Sequence, residues 1–157
     1  SRRSACRKAA VVSGMNDRAH MQRALDVAAS GAGWTGENPS VGCVLVRDGV
    51  VLGEARTADG GRPHAEEQAI AGAGHTRGAT AYITLEPCAK RSTGVASCSE
   101  ILIQHGIAHV FIAVGDPHPL VAGAGAERLR AAGVLVDVGL MGERARALNA
   151  AFFAQWD

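Results

Sequence analysis

Four side chains in the middle of the chain have the chemistry of a metal centre. His64 and Glu66 are separated by one residue, and Cys88 and Cys98 follow with nine residues between them. Catalytic zinc sites usually take three protein ligands and leave the fourth position to water, and one histidine with two cysteines is a known ligand set. The sequence therefore predicts one zinc ion held by His64, Cys88 and Cys98. The fold must then place these three side chains next to one another.

Glu66 has no part in that ligand set and is left free to move protons. A carboxylate two residues from a ligand lies near the fourth metal position, where it can act as a general base and then as a general acid. It would take a proton from water and pass it to a departing amine. The residues thus predict a hydrolase that releases ammonia from an amidine carbon, with Glu66 as the catalytic residue.

Other interpretations of these residues stay open but fit less well. A structural zinc would need a fourth protein ligand, and the nearest candidate, Cys43, lies in an apolar run that predicts a buried strand. A redox dithiol is not favoured because nine residues, rather than two, separate Cys88 from Cys98. A non-catalytic zinc-binding domain would have no need of Glu66.

Length and charge limit the class of protein further. A chain of 157 residues with 47% hydrophobic residues predicts one globular domain, which we assign to residues 15–157. Residues 1–14 carry four basic residues and no acid, and they are interpreted as a disordered tail or an artificial remnant before Met15. Without them, 12 basic residues face 15 acidic ones, so nucleic acid is not a predicted partner.

The apolar runs are also far shorter than the roughly 18 residues that a membrane span needs, so no membrane partner is predicted. With no secretion signal recognised, we expect reduced thiols and a cytoplasmic location.

The periodicity of apolar residues predicts a three-layer α/β/α fold. A helix capped at Asn16 or Asp17 runs to Gly31, and Asp48-Gly49 joins strands 42–47 and 50–55 in a hairpin. Helices and strands then alternate: helix 65–73, strand 81–85, helix 97–105, strand 110–114, helix 126–132, strand 135–138 and helix 143–152. This alternation indicates a mixed sheet of about five strands, partly parallel, with helices on both faces.

In that arrangement the metal-binding residues stand at helix starts. His64 and Glu66 lie in the first turn of one helix, Cys98 follows Ser97 at the start of the next, and Cys88 follows Pro87, a residue common in first turns. Unpaired N–H groups there would stabilise the thiolates that bind metal. The glycine-rich stretch 115–125 is predicted to be the one long loop.

Several longer stretches resemble one family. They are Asn38-Pro39-Ser40-Val41-Gly42, His64-Ala65-Glu66, Gly78-Ala79-Thr80-Ala81-Tyr82, Thr84-Leu85-Glu86-Pro87-Cys88, Asp116-Pro117-His118-Pro119 and Val121-Ala122-Gly123-Ala124-Gly125. Over residues 18–153 the chain resembles the deaminase domain of riboflavin biosynthesis, within the cytidine-deaminase superfamily. Zinc-dependent nucleobase deaminases share the His-x-Glu and Pro-Cys elements. In their signature two residues separate the two cysteines, whereas nine residues separate Cys88 from Cys98 here.

The resemblance implies a cytidine-deaminase-like fold and assigns roles to residues. It implies one zinc on the three predicted ligands, Glu66 as proton shuttle and Asn38 in contact with the substrate ring. Further substrate contacts are assigned to Ala65, Lys90, Arg91, Asp116 and His118, with Lys90 and Arg91 as phosphate-binding cations. The implied substrate is a diaminopyrimidinone carrying a ribosyl or ribityl phosphate, and the implied assembly is a homodimer or homotetramer.

Departures from the family pattern keep other substrates open. His118 stands where the family usually has asparagine, and Ala124 stands where a basic residue is usual. Loss of phosphate contacts would favour a free base or nucleoside, such as cytosine, cytidine or guanine. A tRNA-editing deaminase is a third alternative, which the charge balance opposes. The expected molecule is a stand-alone deaminase or a fragment cut from a longer protein.

Overall fold

The computed structural model describes residues 2–89 and 96–156, and the side chains of residues 16–89 and 96–156. Its strands are β1 (Gly42–Arg47), β2 (Val50–Arg56), β3 (Thr80–Ile83), β4 (His109–Ile112) and β5 (Leu135–Val138). Its α-helices are α1 (Arg2–Ala29), α2 (Ala65–Ala73), α3 (Cys98–Gln104), α4 (Ala124–Ala131), α5 (Gly142–Leu148) and α6 (Ala150–Ala154), and a short 3₁₀ helix spans Asp59–Gly61.

The five strands form one mixed sheet in the order β2-β1-β3-β4-β5. Strand β1 is antiparallel to β2 and β3, whereas β3, β4 and β5 run parallel. The predicted hairpin is confirmed, and both Asp48 (φ 52°) and Gly49 (φ 78°) are left-handed. Two positive φ angles are what a type I′ turn requires, and that turn matches the twist of the paired strands.

The two faces of the sheet bury different sets of side chains, as the alternation along β1 requires. Cys43 and Leu45 point into the core shared with the buried faces of α2, α3 and α4. Val44 and Val46 point the other way, where they pack with α1 and α5. The predicted three-layer α/β/α fold is thereby confirmed.

Helix α1 approaches strand β1 closely at Gly42. A Cβ atom there would lie 1.9 Å from the carbonyl oxygen of Ala24. Only glycine lets the backbones of α1 and β1 come this near. Nearby, the Tyr82 hydroxyl of β3 donates a hydrogen bond to Asp17 of α1.

The start of the first helix and the continuity of the last helix differ from the prediction, whereas the other helix boundaries agree to within two residues. Helix α1 begins at Arg2 rather than at Asn16 or Asp17. Residues 2–14 contain no proline and several strong helix formers, which outweigh a local capping signal. The division between residues 1–14 and 15–157 stays a prediction.

The predicted last helix, 143–152, is broken in two at Asn149, whose φ of −117° and ψ of 43° lie outside the helical region. Its side chain bonds the backbone of Ser40 instead, which competes with continuation of the helix. Among the described residues, no helix is long and apolar enough to cross a bilayer.

Candidate active site

The three predicted metal ligands converge at the carboxyl end of β3. The ligand atoms of His64, Cys88 and Cys98 all lie within 4.8 Å of one another. His64 Nδ1 is 3.3 Å from the Cys98 sulfur, and the Cys98 backbone N–H donates to the Cys88 sulfur at 3.2 Å. The fold therefore brings together side chains that the sequence separates by up to 34 residues.

Two helix starts place these ligands. His64 is the N-cap of α2, with its backbone N–H bonded to the carboxylate of Glu67 at 3.3 Å. Cys98 is the first residue of α3, which is capped by the Ser97 hydroxyl. Cys88 was expected at a helix start of its own but lies in a loop. Its sulfur nevertheless meets an N–H at the start of α3, where partial positive charge stabilises a thiolate.

The donor set fits zinc. A borderline-soft ion that accepts imidazole nitrogen and thiolate sulfur matches one histidine and two cysteines. Tetrahedral bonds of about 2.0 to 2.3 Å need ligand atoms roughly 3.5 to 4 Å apart. The separations here are close to that range, so small side-chain rotations suffice to bind one zinc ion.

Glu66 stands beside this donor set and is almost fully buried, with 4% of its surface exposed. It is the second residue of α2, and its carboxyl is hydrogen bonded to the Cys98 thiol. Burial raises the pKa of Glu66 above its ordinary value, against the opposing effects of a backbone hydrogen bond and of His64. A carboxyl with this environment is suited to hold and release a proton.

Cys43 is buried in the core, as its apolar surroundings predicted. Burial raises the pKa of its thiol well above the ordinary value, with the Glu66 carboxylate adding to the effect. Among the described residues, the group whose ligand atoms could hold a metal ion contains Cys88 and Cys98 but not Cys43.

A cavity of about 170 Å³ opens beside the metal-binding residues. His64, Glu66 and Cys88 form part of its wall, and the remaining lining residues are Asn38, Pro39, Val41, Thr57, Gly61, Leu85, Glu86, Asp116 and Phe152. A protein cavity of about 150 Å³ is large enough for a benzene ring. The cavity thus has room for a single six-membered ring, and a longer substituent would have to extend out of its mouth.

The other predicted substrate contacts are not all found in this wall. Asn38 and Asp116 line the cavity. The Ala65 side chain is packed in the core, so only its backbone is left to meet a substrate. The His118 ring does not line the cavity and lies against Trp156, with ring centroids 4.5 Å apart. Lys90 and Arg91 lie outside the described residues.

Two residues near the cavity were missed because no local pattern marks them. Phe152 of α6 lines the cavity, and the Asn149 amide bonds both the N–H and the carbonyl of Ser40, at 2.9 and 2.8 Å. These bonds join positions 109 residues apart, beyond the reach of any spacing rule. Ser40 belongs to the loop that carries Asn38, so Asn149 fixes one wall of the cavity.

Glu86 also lines the cavity, although the sequence predicted no role for it beyond its place in the Thr84–Cys88 stretch. Its carboxylate accepts hydrogen bonds from the backbone N–H groups of Asp116, Gly123 and Ala126, each at 3.0 Å. An acidic residue that directly follows an apolar strand segment is unusual, and this signal in the sequence could have marked Glu86 as a functional residue.

The chain matches a family model described as the cytidine and deoxycytidylate deaminase zinc-binding region, over residues 15–114. That range contains the three ligands, Glu66 and Asn38. It ends before Asp116 and before the C-terminal helices that complete the cavity.

Similar proteins cover more of the chain. It is 47% identical over 143 residues to the riboflavin biosynthesis protein RibD of Actinobacillus pleuropneumoniae, covering 88% of this chain but only 37% of that protein. It is 41% identical over 140 residues to a diaminohydroxyphosphoribosylamino-pyrimidine deaminase of Buchnera aphidicola subsp. Schizaphis graminum, covering 88% of this chain and 95% of that protein.

Among solved structures, a RibD of Acinetobacter baumannii superimposes with a TM-score of 0.86 at 40% identity. The match covers 90% of this chain and 40% of that one. The chain thus spans well under half the length of the two RibD proteins.

Proposed function

The chain carries the zinc-binding region of cytidine and deoxycytidylate deaminases and belongs to the diaminohydroxyphosphoribosylamino-pyrimidine deaminases, and we propose that it hydrolytically deaminates an aminopyrimidine. The first candidate is the ribosyl- or ribityl-phosphate diaminopyrimidinone of riboflavin biosynthesis. The observation that carries this proposal is the buried Glu66 carboxyl, which lies beside the His64, Cys88 and Cys98 donor set on the wall of a ring-sized cavity.

The proposed reaction needs one proton carrier on the protein. When bound, zinc supplies a water molecule whose pKa lies near 7. Glu66 would take one proton from the attacking water and deliver it to the exocyclic nitrogen. The carbon–nitrogen bond would then break and ammonia would depart, and the hydroxyl left on the ring would become a carbonyl as its remaining proton moves to the ring nitrogen. Asn38 and Asp116 are proposed to orient the ring by hydrogen bonds, and Ala65 through its backbone.

A phosphate on the substrate would have to bind outside the cavity. Among the described residues of the wall there is no lysine or arginine, and Glu66, Glu86 and Asp116 are acidic. The N-terminal turn of α4, where backbone N–H groups would otherwise suit an anion, already binds the Glu86 carboxylate. We therefore propose that Lys90 and Arg91 bind the phosphate, with His118 as a further contact.

The same acidic wall supports a second candidate, a free base or nucleoside such as cytosine, cytidine or guanine. Such substrates carry no phosphate and need no cation near the ring. The two candidates differ in one property, because only the riboflavin intermediate gains affinity from its phosphate.

An ammonia-release assay tests both candidates. The zinc-loaded protein is offered the phosphorylated diaminopyrimidinone, its dephosphorylated form, cytidine, deoxycytidylate, cytosine and guanine, with zinc content measured in parallel. We expect the highest kcat/KM for the phosphorylated diaminopyrimidinone. A preference for unphosphorylated compounds would favour the second candidate, and no release from any of them despite bound zinc would favour a non-catalytic binding domain.

The location and assembly of the protein are also proposals. Two cysteines that must stay reduced to bind zinc support a cytoplasmic location. The family resemblance supports a homodimer or homotetramer, which sedimentation of the purified protein would test.

A further inference from the structure

Glu86 is a buried side chain that binds neither the predicted metal nor, in the proposed reaction, the substrate. Only 7% of its surface is exposed, and one oxygen accepts from both Asp116 and Gly123 while the other accepts from Ala126. Residues 115–123, which we name the cavity loop, thus have both of their ends bonded to one side chain.

The cavity loop has no cap of its own at α4. Gly123 is the N-cap residue of α4 and has no side chain to accept the N–H groups of the first turn. Glu86 provides those acceptors from another segment, and hydrogen bonds to a charged acceptor are about twice as strong as neutral ones. Without Glu86, the Ala126 N–H would be buried and unpaired.

The same segment is packed directly against the metal ligands. Glu86 is followed by Pro87 and Cys88, and a Cβ atom on Gly125 would lie 1.9 Å from the Pro87 carbonyl oxygen. Ser99 of α3 bonds this junction, because its hydroxyl is 3.4 Å from the Pro87 oxygen and 3.5 Å from the Gly125 oxygen. These contacts do not involve the Glu86 side chain, so they hold the segment that ends in Cys88 in place independently of it.

We propose that Glu86 is a positioning residue for substrate binding, which ties the cavity loop to the metal-ligand segment and so sets the position of Asp116 in the cavity wall. This inference rests on the proposed deaminase function. Glu86 acts through the backbone of the cavity loop, so its loss should weaken substrate binding more than the chemical step, while the three zinc ligands stay in place.

Replacing Glu86 by glutamine gives a test that keeps the shape of the side chain. Glutamine has one acceptor oxygen, and its NH₂ group would face at least one backbone N–H that the carboxylate now accepts. For Glu86→Gln we expect KM to rise about ten- to hundred-fold, with kcat changed by less than about three-fold and zinc content unchanged.

Glu127→Gln is the matched control. Glu127 is also an acidic residue in the first turn of α4, but it is exposed and does not line the cavity. The control should keep the wild-type KM and kcat. The proposal is overturned if folded, zinc-loaded Glu86→Gln keeps the wild-type KM, or if it loses zinc and kcat with KM unchanged.

Amide hydrogen exchange of the wild-type protein tests the same contact without a variant or a substrate. The amides of Asp116, Gly123 and Ala126 should exchange at least about ten-fold more slowly than those of exposed loops, because each is bonded to a buried carboxylate. Exchange as fast as in exposed loops overturns the proposal even if Glu86→Gln does not fold. Since this measurement needs no turnover, it separates a failure of the Glu86 proposal from a failure of the deaminase assignment.

Discussion

At the scale of single residues, burial raises the pKa of two groups that have different roles near the proposed metal centre. Glu66 and Cys43 are both buried, and in both cases desolvation is the largest cause of a raised pKa. For Cys43 this keeps the thiol neutral and unreactive. For Glu66 it makes the protonated form accessible, which is the form that must protonate a departing amine.

Replacing Glu66 by glutamine should therefore remove activity but leave the metal centre intact. General acid–base catalysis typically contributes a factor of about 10² to 10⁴ in rate, and we expect kcat of Glu66→Gln to fall by at least that factor. Zinc content by metal analysis and the far-UV spectrum should match the wild type, and Glu127→Gln should retain full activity. A Glu66→Gln protein with near-normal turnover would contradict the proposed proton carrier.

At the scale of elements, the break between α5 and α6 fixes a wall of the cavity. Asn149 stands at the break and uses its amide as both donor and acceptor to the backbone of Ser40. The Ser40 hydroxyl in turn donates to the Ala28 carbonyl of α1 at 2.6 Å. Ser40 thus links the first helix and the C-terminal helices to the loop that forms this wall of the cavity.

Removing the Asn149 amide should loosen this wall. We expect Asn149→Ala to lower the free energy of unfolding by about 1 to 3 kcal/mol, because two partly buried backbone groups lose their partners. KM should rise as well, since Asn38 and Phe152 lie on either side of the contact. Urea unfolding and steady-state kinetics measure the two effects. Gln155→Ala, an exposed change in the same region, should alter neither; equal effects of both substitutions would refute the role of the amide.

The contact of α1 with β1 leads to a second prediction at this scale. Gly42→Ala should lower the free energy of unfolding by about 1 to 3 kcal/mol or more, because the new methyl group would meet the Ala24 carbonyl. Gly72→Ala is the control: Gly72 lies within α2 with nothing near its Cβ position, so alanine should stabilise the protein by up to about 1 kcal/mol. Thermal or urea denaturation of both variants would show opposite signs, and a neutral Gly42→Ala would refute the close approach.

Elements with a strong local pattern were predictable from the sequence, and contacts between distant segments were not. The helix at Ala65–Ala73, the strand at Leu135–Val138 and the Asp48-Gly49 turn follow from periodicity and turn chemistry. The convergence of His64, Cys88 and Cys98 could be predicted because metal chemistry restricts residue types. The break at Asn149 and the bonds of Glu86 depend on residues at least 30 positions away, and no periodic pattern records them.

At the scale of the whole molecule, the proposed metal centre joins separate parts of the chain. Its ligands come from the start of α2, the loop after β3 and the start of α3. An ion that binds only the folded state stabilises it by mass action, by about 4 kcal/mol when its free concentration is 1,000 times Kd. Zinc should therefore contribute to global stability as well as to catalysis.

Removal of zinc should lower Tm in a way that depends on the ligands. We expect a strong chelator to reduce Tm by several degrees and added zinc to restore it. Cys98→Ala should lack this zinc-dependent shift. Cys43→Ala also removes a buried thiol but not a ligand, so it should unfold at a lower temperature yet keep the shift. The same response to chelator in both cysteine variants would contradict the assigned ligand set.

The contacts of Asn149 also affect the order in which the metal-binding residues and the cavity wall can form during synthesis of the chain. All three proposed metal ligands lie within the first 98 residues, whereas the Ser40 contact needs residue 149. A chain emerging from its N-terminus would thus have every zinc ligand before it has the last wall of its substrate cavity. Contacts between such distant positions form late because closing a long loop costs entropy before any bond is gained.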